Sequence, residues 1–288
     1  MIISNMYKQL EKEYSEFVGS KYAVSCNSGT SALHLALRAL GIKEGDEVIV
    51  PEFTMVACAF AVSYCGAKPV FVDCKDDLNI DWELIEEKIT PRTKAIMPVH
   101  IYGRLANMEK ILEIAKKHSL YVVEDACEAQ GAVFKSKADI TCYSFYKNKI
   151  IHAEEGGIAT TDNQELADRM NYLKNMAFGD NHNYIHQEIG FNYRMPDKMA
   201  EMALESLHYY PKEKVMRQKK VDMLDRLFGK TMKRDANWVY DMKKKDFLGG
   251  DFQTREFFKP MSMQPPYLGE YRHLNAYRLS QEGMYICL

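Results

Sequence analysis

The chain has 288 residues and a formal net charge of −2, and 27% of its residues are charged. This length allows one large domain, or a large domain with a smaller one attached to it. A net charge so close to zero gives no electrostatic basis for binding nucleic acid or an anionic membrane surface.

Neither export nor membrane insertion is indicated by the sequence. No apolar run is long enough to cross a bilayer, and the first five residues lack the basic start and apolar centre of a signal peptide. The seven cysteines are an odd number and contain no CxxC pair, which is typical of free thiols in a reducing compartment. We therefore predict a cytoplasmic protein, and no ligand spacing predicts a metal site.

Short apolar runs alternate with helix-patterned segments through the first two-thirds of the chain. The predicted strands are 21–26, 47–50, 69–72, 95–99, 120–123, 138–143 and 157–161. The predicted helices between them are 31–40, 54–65 and 108–118. This alternation predicts βαβ units, and hence an α/β fold in which helices flank a mostly parallel central sheet.

The pattern changes near residue 196. Two long amphipathic segments follow, 196–209 and 212–228. Beyond Trp238 comes a shorter tail whose hydrophobic pattern is irregular. We predict a large domain over residues 1–200 and a small α/β domain over residues 201–288.

Lys149 and Asp125 are the first candidates for chemistry. Asp125 ends a predicted buried strand, and Lys149 follows the next strand, just before an acidic pair and a glycine pair. Ligands of open parallel sheets gather at the carboxyl ends of the strands. A lysine that can form a Schiff base, with an acid that keeps a pyridine nitrogen protonated, is what pyridoxal phosphate (PLP) requires.

The residues alone leave alternatives open at both positions. Lys147 lies close to Lys149 in the sequence, and in a turn or strand both side chains can face the same side. Most lysines are solvated surface charges. Strand-end aspartates often cap helices or pair with nearby cations. His152 is a candidate site histidine, although an isolated histidine is more often a hydrogen-bonded core or surface residue.

A candidate anion site lies at the start of the first predicted helix. The segment contains Ser28, Gly29 and Thr30, where a glycine lets the backbone approach a ligand and hydroxyl groups surround it. Free N–H groups at a helix start, with the positive end of the helix dipole behind them, favour phosphate. The alternative is an ordinary N-cap. The segment is not a P-loop, because the Gly-Lys-Ser/Thr ending is missing.

Taken together, these segments resemble the DegT/DnrJ/EryC1/StrS family of PLP-dependent sugar aminotransferases, which are fold-type I enzymes. The resemblance extends from about residue 5 to residue 284. The segments that carry it are 27–33, 48–57, 79–81, 93–103, 124–132, 144–157, 190–195 and 255–267. Several motifs in the same order are far more specific than any one of them.

The resemblance implies a role for each candidate. Lys149, rather than Lys147, aligns with the Schiff-base lysine, and Asp125 aligns with the acid that pairs with the pyridine nitrogen. The positions that align with phosphate-binding residues are Gly29, Thr30 and Ser144, with Ser28 beside them. Asn192 aligns with an asparagine that reaches the phosphate from the neighbouring subunit, which implies a homodimer with shared active sites.

The substrate is also suggested by the resemblance. In family members that make 4-amino sugars, the residue aligned with position 128 is often Glu, whereas in members that act at C3 of the sugar it is often Gln. Glu128 therefore favours a nucleotide-linked 4-keto-6-deoxyhexose, with glutamate as the family's usual amino donor. A 3-keto substrate and a purely local packing role for Glu128 both remain open. Arg194 and His152 are expected to contact the nucleotide-sugar.

Some positions depart from the family pattern. Met55 stands where many members place an aromatic residue against the cofactor ring, although methionine can also pack there. The run 152–154 replaces a small Thr-Thr-Gly run, and both ends of the chain look short. These departures leave open a second hypothesis, a degenerate member that binds PLP or a nucleotide-sugar without turnover.

Overall fold

The structure is a computed structural model that describes residues 5–179, 184–269 and 273–288. Most of the N-terminal segment in which no signal peptide was found, residues 1–4, lies outside the described residues. None of the described helices is both long enough and apolar enough to cross a membrane.

Helices and strands alternate along most of the described chain. The helices are α1 (Met6–Val18), α2 (Gly29–Ala39), α3 (Ala57–Tyr64), α4 (Met108–His118), α5 (Gln164–Lys174), α6 (Asp197–Phe228) and α7 (Leu274–Glu282). The strands of the large sheet are β1 (Tyr22–Cys26), β2 (Glu47–Pro51), β3 (Lys68–Val72), β4 (Thr93–Ile96), β5 (Tyr121–Asp125), β6 (Ile140–Ser144) and β7 (Gly157–Thr161). The later strands are β8 (Val239–Lys243), β9 (Thr254–Glu256) and β10 (Gly283–Cys287).

The large sheet has seven strands in the order β1-β7-β6-β5-β4-β2-β3. Strand β7 is antiparallel to both of its neighbours, β1 and β6. The pairs between β6 and β3 are all parallel. The predicted α/β fold with a mostly parallel sheet is therefore confirmed, and the carboxyl ends of β1 to β6 meet at one edge of the sheet.

Helices cover both faces of this sheet. Every residue of β2, β6 and β7 is buried, which is typical of strands between two helical layers. Neighbouring residues of one strand serve different faces: Val48 packs with the α2, α3 and α5 layer, whereas Ile49 packs with α4. Helices α1 and α6 cover the β6–β7 end of the α4 face.

The two amphipathic segments predicted on either side of Pro211 form one helix of 32 residues, α6. Proline removes one backbone hydrogen bond and normally kinks or ends a helix. Here both halves are held by packing: Ala203 and Leu207 lie in a cluster with α1, whereas Val221 and Leu224 pack with Tyr240 of β8. Tertiary burial on both sides of the proline therefore keeps the helix continuous.

The tail beyond Trp238 is more ordered than its sequence indicates. It contains a three-stranded antiparallel sheet in the order β8-β10-β9, with α7 leading directly into β10. The strands are short and lack clear alternation, which explains why the sequence reads as irregular. The division at residue 200 stays a prediction, and α6 runs across it.

Candidate active site

Most of the predicted site residues lie at the carboxyl edge of the large sheet. Asp125 is the last residue of β5, and Ser144 is the last residue of β6. Ser28 follows β1 and forms the N-cap of α2. Lys149 lies in the loop between β6 and β7, which leaves and returns to this edge because the two strands are antiparallel. The sheet thus brings segments that are far apart in sequence to one place.

Lys149 and Lys147 have different environments. Lys149 is half-buried, whereas Lys147 is exposed. The Lys149 Nζ lies 3.9 Å from the ring centroid of Trp238, a cation–π contact. The Trp238 indole Nε1–H donates a hydrogen bond of 2.9 Å to the carbonyl oxygen of Asn148. Lys149 is therefore held against a buried aromatic surface inside the site.

Asp125 is buried and receives two hydrogen bonds. The backbone N–H of Cys127 donates to Oδ1 at 3.0 Å, and the Cys58 thiol donates to Oδ2 at 3.1 Å. Burial, together with the charge of Asp125, raises the pKa of both the Cys58 and the Cys127 thiol. Both thiols therefore stay protonated, and Cys58 stays a donor. A carboxylate can accept further hydrogen bonds, so Asp125 retains capacity for a ligand N–H.

The charges of Lys149 and Asp125 both act on the pKa of Glu128. It is buried, and its Oε2 accepts a hydrogen bond of 2.8 Å from the backbone N–H of Tyr102. Burial raises the pKa of Glu128 to about 7, and the nearby Lys149 opposes part of this rise. A carboxyl group with such a pKa can accept or release a proton near neutral pH.

The predicted phosphate-binding residues are adjacent in the structure. A Cβ atom on Gly29 would lie 2.8 Å from Ser144 Cβ and 3.2 Å from Ser144 Oγ, so only glycine allows this approach. The Ser28 Oγ accepts a hydrogen bond of 3.1 Å from the Ser31 N–H, so Ser28 does act as an N-cap. The first N–H groups of α2, at Gly29 and Thr30, have no acceptor within the helix. Together with Ser144 they make a candidate anion-binding cradle.

Gly157 packs directly against the backbone of Ser28 and Gly29, and this close contact gives a testable prediction. A Cβ atom at Gly157 would lie 2.2 Å from the Ser28 carbonyl oxygen and 2.7 Å from the Gly29 nitrogen. We expect Gly157→Ala to lower the free energy of unfolding by about 1–3 kcal/mol, because backbone atoms must move. Urea denaturation checks this. Gly179→Ala is the matched control, since a Cβ there would meet no described atom within 4 Å. Equal stability of the two variants would contradict the prediction.

Other predicted residues lie further out. Met55 is 50% exposed, beyond the end of β2. His152 contacts α6 through Ser206, whose Oγ accepts the His152 backbone N–H at 3.0 Å. Asn192 and Arg194 are exposed; Asn192 forms a β-bridge with Asn175, and Arg194 donates a hydrogen bond of 2.9 Å to the Asn175 side chain. No contact joins Asn192 or Arg194 to Lys149 or Asp125 within the described part of the chain.

Three residues of the site escape the sequence-based prediction. They are Cys58, Tyr102 and Trp238. Cys58 appears in the sequence only as one apolar position of a helix. Tyr102 has a positive φ of 51°, which no local pattern indicates. Trp238 is one of two tryptophans in the chain, and this rarity is the only sequence feature that sets it apart.

The raised pKa of Glu128 predicts a pH dependence of stability. Its folded pKa of about 7 lies above the ordinary pKa of 4.5 for a glutamate side chain. The contribution of Glu128 to stability is therefore fully present below the unfolded pKa and is lost as the pH rises through 7. The Glu128→Gln side chain keeps an oxygen that can accept the Tyr102 backbone N–H, but it cannot ionise. We expect the Tm of the wild type, relative to this variant, to fall between about pH 5 and about pH 8.

The control for this measurement is Glu155→Gln, at an exposed position of the same loop as Lys149. Its Tm should follow that of the wild type across the whole pH range. A constant Tm difference between the wild type and Glu128→Gln would show that folding does not raise the pKa of Glu128.

The carboxyl edge of this α/β sheet carries a lysine and a strand-end acid beside a candidate anion cradle. These are the groups that PLP-dependent enzymes use to hold their cofactor. The chain belongs to the DegT/DnrJ/EryC1/StrS aminotransferase family, whose model matches residues 2–248. The family predicted from the sequence, and with it the class of sugar aminotransferase, is confirmed.

Relatives and solved structures agree with this assignment. The chain is 40% identical over 288 aligned positions to the GDP-perosamine synthase of Caulobacter vibrioides, covering 90% of this chain and 78% of the relative. It is 44% identical to the UDP-N-acetyl-3-dehydro-alpha-D-glucosamine 3-aminotransferase of Acidithiobacillus ferrooxidans, covering 69% of this chain and 55% of the relative. The crystal structure of NtdA from Bacillus subtilis with bound cofactor PMP matches with a TM-score of 0.86 and 28% identity, covering 98% of this chain and 72% of NtdA.

Proposed function

We propose that this chain is a PLP-dependent aminotransferase that transfers an amino group from glutamate to a nucleotide-linked 4-keto-6-deoxyhexose. The observation that carries the proposal is the convergence of Lys149, Asp125 and the cradle of Gly29, Thr30 and Ser144 at one edge of the sheet. In the family these positions correspond to the lysine, the acid and the phosphate site of the cofactor.

The shape and chemistry of this edge fit PLP. Gly29 leaves open the space that a side chain would fill beside Ser144, and the N–H groups at the start of α2 suit a phosphate. Asp125, buried and fixed by two donors, would face the pyridine nitrogen. Lys149 would bind the aldehyde carbon. When bound, PLP supplies the electron sink that allows a bond at the amino-bearing carbon to break.

The residues of the chain then have distinct tasks. Lys149 Nζ holds and moves a proton at the reacting carbon, which requires a flexible amine within the site. Asp125 presents a fixed negative charge, and the Cys58 thiol and the Cys127 N–H prevent it from turning away. Trp238 covers one side of Lys149 and excludes water there.

The proposed substrate rests on Glu128 and on the similarity to a GDP-perosamine synthase. Glu128 is buried close to Lys149, where a sugar carbon must approach to receive the amine. Its pKa of about 7 allows it to donate to, or accept from, a sugar hydroxyl or keto oxygen. A second candidate, amination at C3, is favoured by the similarity to the 3-aminotransferase.

The active site is proposed to be completed by a second copy of the chain. Asn192 and Arg194 are exposed and are joined through Asn175. The alignment of Asn192 implies that it contacts a cofactor phosphate in the neighbouring subunit. Arg194 would then reach the nucleotide-sugar from the same neighbour. A cytoplasmic location is supported by the seven cysteines, all of which are free thiols.

A substrate panel tests the proposal. Purified protein with PLP and glutamate is incubated separately with GDP-, UDP- and dTDP-linked 4-keto-6-deoxy sugars and with a 3-keto sugar nucleotide. Mass spectrometry detects replacement of the keto oxygen by an amine, and NMR of the product locates it. We expect an amine at C4, and amination at C3 alone would overturn the choice of substrate.

The degenerate alternative needs a different measurement. Glutamate alone should convert the absorbance of bound PLP to that of the amine form in a single turnover. A protein that binds PLP but whose spectrum does not change with glutamate would be a binder without turnover. Such a result would refute the proposed activity even if the assignment to the family is right.

A further inference from the structure

His34 is a buried polar residue of α2 that has no part in the chemistry described so far. It is 3% exposed, and the residues on either side of it in the sequence, Leu33 and Leu35, are buried and apolar. Burial, and then the charge of Arg38, lowers the pKa of His34 to about 4, so the imidazole is neutral at pH 7. A neutral imidazole can donate a hydrogen bond from one ring nitrogen and accept one at the other.

The imidazole of His34 has one hydrogen-bond partner among the residues that the structure describes, and this is the hydroxyl of Tyr193. The His34 Nδ1 lies 3.1 Å from the Tyr193 Oη. The His34 Nε2 is buried and has no partner in the same part of the chain. A buried ring nitrogen without a partner destabilises the folded state, and a leucine at this position would avoid that cost. The contact with Tyr193 therefore indicates a role other than stability.

Tyr193 belongs to the segment 190–194, which is hydrogen-bonded to the core of the subunit along its length. The Tyr193 N–H donates to the Lys174 carbonyl at 3.0 Å, and the Tyr193 carbonyl accepts the Asn27 N–H at 2.9 Å. The Phe191 carbonyl accepts the Met176 N–H at the same distance, 2.9 Å. The backbone of this segment is thus fixed beside the end of α5 and the residue that precedes the cradle.

The side chains of this segment alternate between two sides. The rings of Phe191 and Tyr193 are stacked with their centroids 5.0 Å apart, and the Phe191 centroid lies 4.6 Å from that of His34. Asn192 and Arg194, which alternate with them, are exposed and line one surface cavity. Successive residues of an extended segment point to opposite sides. Holding the two rings against α2 therefore fixes the direction in which Asn192 and Arg194 point.

We propose that His34 is a positioning residue for the active site of the neighbouring subunit. Through the Tyr193 hydroxyl it holds the stacked rings in place, and the rings direct Asn192 toward the cofactor phosphate of the neighbour. This role rests on the proposed function, in which Asn192 crosses between subunits. The effect of His34 on the cofactor should therefore depend on the phosphate and act in the other subunit of the dimer.

The affinity for PLP measures this role without any sugar substrate. The apoprotein is titrated with PLP, and the absorbance of the lysine-bound cofactor gives an apparent Kd. Pyridoxal, which has the same aldehyde but no phosphate, is the comparison ligand. We expect His34→Leu to raise the Kd for PLP about three- to tenfold, the effect of losing one hydrogen bond. The Kd for pyridoxal should not change. Tyr193→Phe, which removes only the hydroxyl, should give the same result.

Two variants of His34 should have opposite orders of stability and cofactor affinity. Asparagine can place a polar atom close to the position of Nδ1 and can still bond to the Tyr193 hydroxyl, whereas leucine cannot. Leucine is the better helix former and leaves no buried polar atom unpaired. We expect His34→Leu to have the higher Tm and His34→Asn to have the lower Kd for PLP. Tyr121→Phe, exposed at the start of β5, is the control for loss of a tyrosine hydroxyl and should match the wild type.

Mixed dimers show in which subunit His34 acts. A Lys149→Ala chain and a His34→Leu chain are co-expressed with different affinity tags, and the mixed dimer is purified over both tags. Only the His34→Leu chain can then attach PLP, and its site receives Asn192 from the chain whose His34 is intact. We expect this site to bind PLP with the Kd of the wild type. The reference is the mixed dimer of Lys149→Ala with Asn192→Ala, which should recover the same Kd.

The possible failures are distinguishable. If Asn192→Ala alone binds PLP as the wild type does, or if the reference dimer does not form or does not recover, the shared site is wrong and the role of His34 is refuted with it. If the reference recovers but the mixed dimer with His34→Leu does not, His34 acts within its own subunit, and only its proposed role is refuted. Three further results for His34→Leu would also refute that role: an unchanged Kd for PLP, an equal rise for PLP and pyridoxal, or the same order of Tm and affinity as in His34→Asn.

Discussion

Lys149→Ala is expected to abolish the covalent attachment of PLP and to reduce transamination by about 10⁴-fold, the upper end for loss of a positioned proton-transfer group. The reason is the position of Lys149, half-buried against Trp238 and close enough to Glu128 to influence its pKa. The measurement is the absorbance of PLP bound to protein, followed by borohydride reduction and mass spectrometry. The wild type should carry reduced PLP at Lys149, and the variant should carry none.

Lys147→Ala is the matched control for this experiment. Lys147 belongs to the same loop but is exposed, so its loss should leave both the attachment and the rate close to those of the wild type. Reduced PLP found on Lys147, or on the Lys149→Ala protein, would refute the assignment. Measuring Tm for all three proteins separates a folding defect from a defect in chemistry.

Asp125→Asn should have the next largest effect, a loss of about 10²–10³-fold in the rate of transamination, comparable with the removal of other preorganised electrostatic groups. Asparagine has the same size and can still accept from the Cys127 N–H, so the site should keep its shape. It lacks the negative charge that would hold a proton on the pyridine nitrogen. We expect PLP to remain covalently attached while single-turnover conversion by glutamate becomes slow.

The control is Asp162→Asn, beyond the far end of β7, where Asp162 accepts the Lys21 backbone N–H at 2.8 Å. This variant should react at the rate of the wild type. If Asp125→Asn retains full activity, the carboxylate at the end of β5 does not serve the cofactor, and its role is restricted to the hydrogen bonds with Cys58 and Cys127.

Much of the large sheet could be predicted because its signals are local. Strand β7 has the predicted bounds, Gly157–Thr161, since Gly156 precedes it and a polar turn follows it. Helix α4 also has the predicted bounds, and its start is fixed by Asn107, whose side chain accepts the Lys110 N–H at 3.2 Å. An amphipathic stripe and a cap are visible in the sequence without knowledge of the fold.

Other elements depend on contacts that no local pattern contains. Helix α1 is absent from the sequence-based prediction, although Leu10, Tyr14 and Val18 repeat at helical spacing and are buried. The many charged residues of α1 make this apolar stripe hard to recognise in the sequence. The contact between Trp238 and the Asn148 carbonyl joins positions 90 residues apart. Such a contact becomes visible only when the sheet and the tail are folded together.

Some residues of the candidate site could likewise be predicted from the sequence, whereas others could not. Asp125 and Ser144 could be placed together because each ends a strand of one parallel sheet. The choice between Lys149 and Lys147 could not be made from spacing, and it depended on the family resemblance. The Cys58 thiol that contacts Asp125 belongs to the second residue of α3, and its approach to β5 depends on how that helix packs.

The two ends of the loop that carries Lys149 are hydrogen-bonded to each other. Ser144 pairs with Gly157 across the antiparallel ladder, and the Phe145 N–H donates to the Gly156 carbonyl at 2.8 Å, so both ends are fastened to each other. Within this loop Ala153 is buried and the His152 backbone N–H is bonded to Ser206 of α6. Of the run 152–154, Glu154 is therefore the position at which evolution can change the side chain at least cost to the core, while Lys149 keeps its place.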